Sequence, residues 1–160
     1  MKEFEFRIRD WFEGCPPLEF AVTNNFLSVF VDEILVSKLS NYSNKSTADG
    51  IYLPLYPIAE WLVTNWWRLL YECNNYRNND FEYCHNLSFA GEGYFLPDIR
   101  FLPENDIIGI EWKPRSINGD MLSFCDFGDR TVSFASVESE FKCFINIVLI
   151  GCQTSSSFSR

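Results

Sequence analysis

Tyr56-Pro57-Ile58-Ala59-Glu60-Trp61-Leu62-Val63-Thr64-Asn65-Trp66-Trp67-Arg68-Leu69-Leu70-Tyr71-Glu72-Cys73 is the stretch on which the fold turns. Pro57 suits a first helical turn, where its missing N–H costs nothing. From there Ile58, Trp61, Leu62, Trp66, Leu69 and Leu70 recur at helical spacing and predict one apolar face. Val63, Trp67 and Tyr71 lie off that face. Glu60, Thr64, Arg68 and Glu72 follow at i, i+4 intervals and form a narrow polar stripe. A helix apolar nearly all round, with one polar seam, is expected to be mostly buried. Arg68 and Glu72 can pair along the seam, but such a pair contributes only about 0.3–0.5 kcal/mol when exposed. The seam therefore bears on specificity more than on stability.

Strand patterns lie on both sides of this helix. Phe4, Phe6 and Ile8 alternate with Glu5, Arg7 and Arg9, the period-2 pattern of a strand with one buried face. Gly14-Cys15-Pro16-Pro17 breaks the pattern, and Leu18, Phe20 and Val22 restart it. Phe26 to Val31 and Ile34 to Leu39 are apolar runs. Asp32-Glu33 between them reads as a tight turn, although it is not the favoured Asn-Gly pair. Ser40 to Gly50 reads as an exposed loop and Ile51 to Leu55 as a short extended segment.

Beyond the helix, Asn74 to Asp80 is a polar loop, and Phe81 to Ala90 has room for a short helix. Asp98 to Leu102 and Ile107 to Trp112 predict two strands joined through Pro103-Glu104-Asn105-Asp106. Met121 to Phe127 and Thr131 to Phe134 predict two more, around Gly128-Asp129. A last helix is expected from Ser136 to Leu149, with Val137, Phe141, Phe144, Ile145 and Val148 on its apolar face. Ser136 would be its N-cap, and Glu138 and Glu140 would complement its dipole. Residues 151–160 lose the pattern and read as a disordered tail. Strands, helix, strands, helix in that order predict an α+β fold, one domain over residues 1–150. It would hold a mostly antiparallel sheet, a buried Trp-rich helix and a C-terminal amphipathic helix.

Composition narrows the function classes. With 160 residues, 47% hydrophobic and 22% charged, the chain can build one core and is not wholly disordered. Its net charge of −9 is spread over both halves, with no basic arm or stripe, so nucleic acid is not the expected partner. Aromatic residues make up 18% and would suit base stacking, but that mode also needs a positive groove. The longest apolar candidate, Phe141 to Ile150, contains Lys142 and Asn146 and is too short for a membrane span. The start, Met1-Lys2-Glu3-Phe4-Glu5, lacks the basic end and apolar run of an export signal. A cytoplasmic chain is the expectation. Its six cysteines, none in a C-x-x-C pair, would then be reduced, small, buried residues.

The chemistry-bearing residues give no assigned catalytic, cofactor or metal site. Cys84 and His85 are adjacent, and neighbouring side chains diverge in either a strand or a helix, which spoils a dyad. Cys73, Cys84 and His85 with Asp80 or Glu82 match no standard zinc spacing. Asp126, Asp129 and Arg130 around Gly128 suggest either a metal loop or, more simply, a hairpin turn. Gly91-x-Gly93 lacks the third glycine of a dinucleotide motif. What remains is a candidate polar cleft of Glu60, Asn65, Arg68, Glu72 and His85. Its carboxylates would serve as acid and base, or the set would form a structural network fixing the helix to the sheet.

Tyr52-Leu53-Pro54-Leu55-Tyr56-Pro57-Ile58-Ala59-Glu60-Trp61-Leu62, followed by Asn65-Trp66-Trp67-Arg68-Leu69 and Glu72, resembles the N-terminal region of certain longer bacterial proteins. Those proteins carry a downstream ImmA/IrrE-like zinc metallopeptidase domain. The resemblance runs on through Cys84-His85-Asn86-Leu87, Gly91-Glu92-Gly93-Tyr94 and Leu96-Pro97-Asp98-Ile99, and reaches Phe141 to Leu149. It implies a cytosolic bacterial protein from a mobile-element, toxin–antitoxin or defence setting. The peptidase half would need H-E-x-x-H, yet the single histidine, His85, is followed by Asn86. No catalytic residue carries over. The expectation is a non-enzymatic accessory or interaction domain, working through a protein partner or self-association. It would be a truncated or stand-alone form of a longer protein. The alternative is a small hydrolase or ligand-binding domain using the cleft around Glu60, Arg68 and Glu72.

Overall fold

The computed structural model describes residues 2–9, 24–41, 47–71, 86–91, 96–117 and 122–158. The architecture is α+β: two α-helices with three antiparallel sheets among the described residues. In the first sheet, β1 (Phe4–Arg9) pairs along β2 (Asn24–Val31), with Phe4 opposite Val31 and Arg9 opposite Phe26. The other edge of β2 is shared end to end by β3 (Ile34–Leu35) and, later in the chain, Ile51–Pro54. The turn from β2 to β3 is Asp32-Glu33, as expected, and both residues are left-handed, with φ of 48° and 65°. Such a turn matches the twist of the strands but ordinarily uses Asn and Gly. Here the Asp32 N–H donates to the Glu3 carbonyl at 2.6 Å, which ties the turn to the start of β1.

The stretch expected as a loop, Ser40 to Gly50, instead contributes to strands. β4 (Leu39–Asn41) and β5 (Thr47–Ala48) pair through Leu39–Ala48 and Ser40–Thr47. The Ile51–Pro54 strand is β6. β5 is the edge strand of its sheet, a position that tolerates polar side chains.

The expected hairpin of Asp98 to Trp112 is β7 (Asp98–Glu104) and β8 (Ile107–Lys113), turning at Asn105-Asp106 with Asn105 left-handed. Next come β9 (Arg115–Ile117), β10 (Leu122–Phe124) and β11 (Gly128–Ser133). The last two do not form the hairpin read around Gly128-Asp129. β10 pairs with β4 and β9, whereas β11 pairs with β8. Gly128 opens β11 opposite Trp112, and a Cβ there would lie 2.5 Å from the Trp112 indole. The glycine makes room for a buried ring; it does not turn a hairpin.

α1 (Tyr56–Tyr71) and α2 (Phe134–Phe158) cover the sheets. α2 begins two residues before the expected start. Ser133 caps it, its hydroxyl accepting from the Ser136 N–H at 3.3 Å, and the Phe134 N–H reaches the Asp106 carbonyl at 2.8 Å. The Glu3 carboxylate in turn accepts from the Ser133 N–H and hydroxyl, which joins the first sheet to this cap. The α2 backbone stays helical past Gly151 to Phe158, where a disordered tail was read. Glu138 and Glu140 consequently lie beyond the first turn and have other partners.

The core forms where α2 crosses β1 and β7. Phe4, Phe6, Phe101, Phe141 and Phe144 are buried together, with ring centroids between 4.8 and 6.0 Å apart. Most of these pairs are edge-to-face or tilted, the arrangement favoured by the ring quadrupole. No helix among the described residues is long and apolar enough to cross a membrane.

Candidate functional site

α1 is buried on one side only, which corrects the expectation of a mostly buried helix with a single narrow polar seam. Ile58, Ala59, Trp61, Leu62, Asn65, Leu69 and Leu70 face the core, and Trp66 is partly covered. Tyr56, Val63, Trp67 and Tyr71 are 39%, 55%, 50% and 58% exposed. At about 100° per residue these four fall on one arc of the helix, interleaved with Glu60, Thr64 and Arg68. The polar residues are thus not a seam through an apolar helix. They share an open face with aromatic and aliphatic side chains.

One flank of that face opens into a cleft of 320 Å³ lined by Pro57, Glu60, Trp61, Thr64, Asn65, Phe89 and Ala90. The far wall is a 3₁₀ turn, Leu87–Gly91, held by Asn86. The Asn86 amide oxygen accepts from the N–H of Ser88 at 2.9 Å and of Ile99 at 3.3 Å. Its NH₂ donates to the Asp98 carboxylate at 3.1 Å. Asn86 therefore pins the cleft wall to β7, a role not read from the sequence. The available signal was an Asn two residues before an N–H it can cap, in Asn86-Leu87-Ser88.

Of the five expected cleft residues, the structure brings Glu60 and Asn65 together. Asn65 is 6% exposed and its NH₂ donates to the Trp61 carbonyl at 3.0 Å, so this amide serves the helix. Thr64 likewise donates to the Glu60 carbonyl at 3.0 Å. Arg68 is not among the lining residues; its guanidinium lies 5.1 Å from the Trp67 ring centroid. Glu72 and His85 lie outside the described residues, as do Cys73, Cys84, Asp80, Glu82 and Gly93. Glu60 is the one ionisable side chain among the lining residues. A carboxylate acid–base pair is not assembled by the described part of the cleft.

α2 flanks the other side of α1 and runs antiparallel to it. Tyr71 meets Phe134, with ring centroids 5.2 Å apart, and Lys142 lies 5.6 Å over Trp66. The Tyr71 hydroxyl donates to Glu138, which also faces Lys142 at 3.4 Å. The carboxylate acceptor raises the Tyr71 pKa, and the same bond lowers that of Glu138.

A second concavity, of 350 Å³, lies between Lys2, Phe4, Ser136, Ser139, Glu140 and Cys143. Glu140 is 6% exposed, and burial raises its pKa against the opposing pull of the Lys2 ammonium, 3.2 Å away. Cys143 and Cys125 are exposed and in no disulfide, contrary to the expectation of buried cysteines, and the Cys125 thiol lies 3.0 Å from the Ser123 hydroxyl. A third hollow, of 300 Å³, includes Asp126, Gly128 and Arg130. Arg130 there faces Asp32 at 3.8 Å and donates to the Asp129 carbonyl. No group of three or more metal-ligating side chains occurs among the described residues.

No known protein family, curated protein or solved structure matches the chain.

Proposed function

We propose that this chain is a non-enzymatic interaction domain that works through protein contact, with the outer face of α1 as its contact surface. The observation that carries the reading is the exposure of Val63, Trp67 and Tyr71 on one arc of a helix whose opposite side is fully packed. Large exposed rings grouped on a rigid element are the usual anchors of a protein interface. On this reading Glu60 and Arg68 form the charged rim, and the sequence resemblance to proteins with a downstream peptidase supports reading the contact as part of a bacterial accessory or defence role.

The cleft beside Glu60 supports a second reading, a small-ligand site or hydrolase. That reading draws less support, since one carboxylate and two helix-bonded polar groups offer little chemistry. Tagged wild-type chain and a Val63→Glu/Trp67→Glu variant, expressed at native level in the source cell, separate the two. The contact reading expects a stoichiometric partner, or a second copy of the chain, retained by the wild type and lost by the variant. Equal retention by both would refute it, and turnover or ligand binding abolished by Glu60→Gln would favour the cleft.

A further inference from the structure

We propose that Arg100 and Glu111 hold a small zwitterion of the α-amino acid class, its carboxylate on the guanidinium and its ammonium on the Glu111 carboxylate. Arg100 sits in the middle of β7, between the fully buried Ile99 and Phe101. Strand alternation turns it to the opposite face of the sheet from those two. Only 8% of Arg100 meets solvent, and its Nε is sealed from solvent with no hydrogen-bond acceptor. A guanidinium keeps its charge in a protein. Buried without a counter-charge, it is among the costliest groups a fold can carry.

The obvious counter-charge is the cross-strand neighbour. Glu111 stands directly opposite Arg100 on β8, on the same face of the sheet. In such a pair the Cβ atoms are about 5 Å apart, so the two side chains are within reach of each other. Yet no hydrogen bond or ion pair joins them. Asp98, two residues away on β7, is engaged instead by the Asn86 NH₂ at 3.1 Å. Opposite charges held side by side and left unjoined fit a ligand that carries both signs. The Nε–H and a neighbouring terminal N–H are parallel donors, which the two coplanar oxygens of a carboxylate match. An adjacent ammonium then answers Glu111. A phosphate would bring further negative charge to a guanidinium flanked by Asp98 and Glu111, and a simple carboxylic acid would leave Glu111 unanswered. The narrow opening over Arg100 restricts the ligand to a small one. This site lies apart from the outer face of α1, and the two readings stand or fall separately.

Heteronuclear NMR of the Arg100 Nε–H, assigned by its loss in Arg100→Lys, reads the site directly as glycine or L-alanine is added at constant ionic strength. Saturable displacement of that signal is expected, with millimolar affinity. Acetate and inorganic phosphate should bind at least tenfold more weakly. Glu111→Gln should weaken glycine binding roughly tenfold and leave acetate binding unchanged. Thermal melts without ligand supply a second arm. Arg100→Met removes an unpaired charge at similar side-chain length, so it should melt no lower than the wild type. A signal that neither amino acid moves would overturn the proposal, as would acetate matching glycine, or Glu111→Gln binding glycine as the wild type does. A far lower melting temperature for Arg100→Met would also overturn it, because the guanidinium would then be serving the fold itself.

Discussion

Trp61→Ala and Trp67→Ala should behave as different kinds of substitution, although both remove an indole from the same helix. Trp61 is 9% exposed and packs into the core, whereas Trp67 is 50% exposed. A buried Trp removes roughly 200 Å² from water, worth about 5 kcal/mol at ~25 cal/mol/Å². Retention of the Cβ and partial collapse of the cavity bring the expected loss for Trp61→Ala to about 3–5 kcal/mol. In a chain of this size that lowers Tm by roughly 10 °C or more. Half the area is at stake at Trp67, and the neighbouring side chains can relax into solvent, so its loss should be about 1–2 kcal/mol in the monomer. Urea unfolding of both variants, followed by circular dichroism at low concentration, gives the two free energies directly. Equal losses, or a larger loss at Trp67, would refute the assignment of inner and outer faces to α1.

Gly128→Ala must displace the buried Trp112 ring, 2.5 Å from the new methyl, and should cost about 1–3 kcal/mol by denaturant titration. Asn86→Ala unties the 3₁₀ turn from β7 and should cost about 1–3 kcal/mol, with faster amide exchange at Ser88 and Ile99. Glu140 holds its proton more tightly folded than unfolded, because burial outweighs Lys2. Its contribution therefore favours the folded state at low pH and is lost as pH rises from the ordinary carboxylate pKa through the raised folded one. Glu140→Gln should flatten that part of the Tm–pH curve and raise Tm on its alkaline side; an unchanged slope would contradict the burial argument.

Local pattern made several elements legible in the sequence. The alternation from Phe4 to Arg9 specifies β1 and puts Phe4 and Phe6 in the core, because a strand's side chains repeat every second residue. The β7–β8 hairpin and the buried face of α2, Val137, Phe141, Phe144 and Val148, follow from the same reasoning. Pairing between distant strands was not legible. β10 and β11 are neighbours in sequence but partners of β4 and β8, pairings between segments far apart in the chain that no local pattern specifies. The outer face of α1 was misread for a related reason. Hydrophobicity shows that Val63, Trp67 and Tyr71 avoid water, but not whether their own chain covers them. Of the candidate cleft, Glu60 and Asn65 line one hollow, whereas Arg68 turns to the Trp67 ring, a local cation–π contact that spacing alone does not specify.

Hydroxyl-radical footprinting of the dilute, isolated chain and of the chain in its assembled form tests the contact surface on α1 most directly. Val63, Trp67 and Tyr71 should be oxidised in the dilute chain and protected in the assembly, with Trp61 unreactive in both. Equal oxidation of Trp67 in the two states, or protection confined to residues away from α1, would contradict the account.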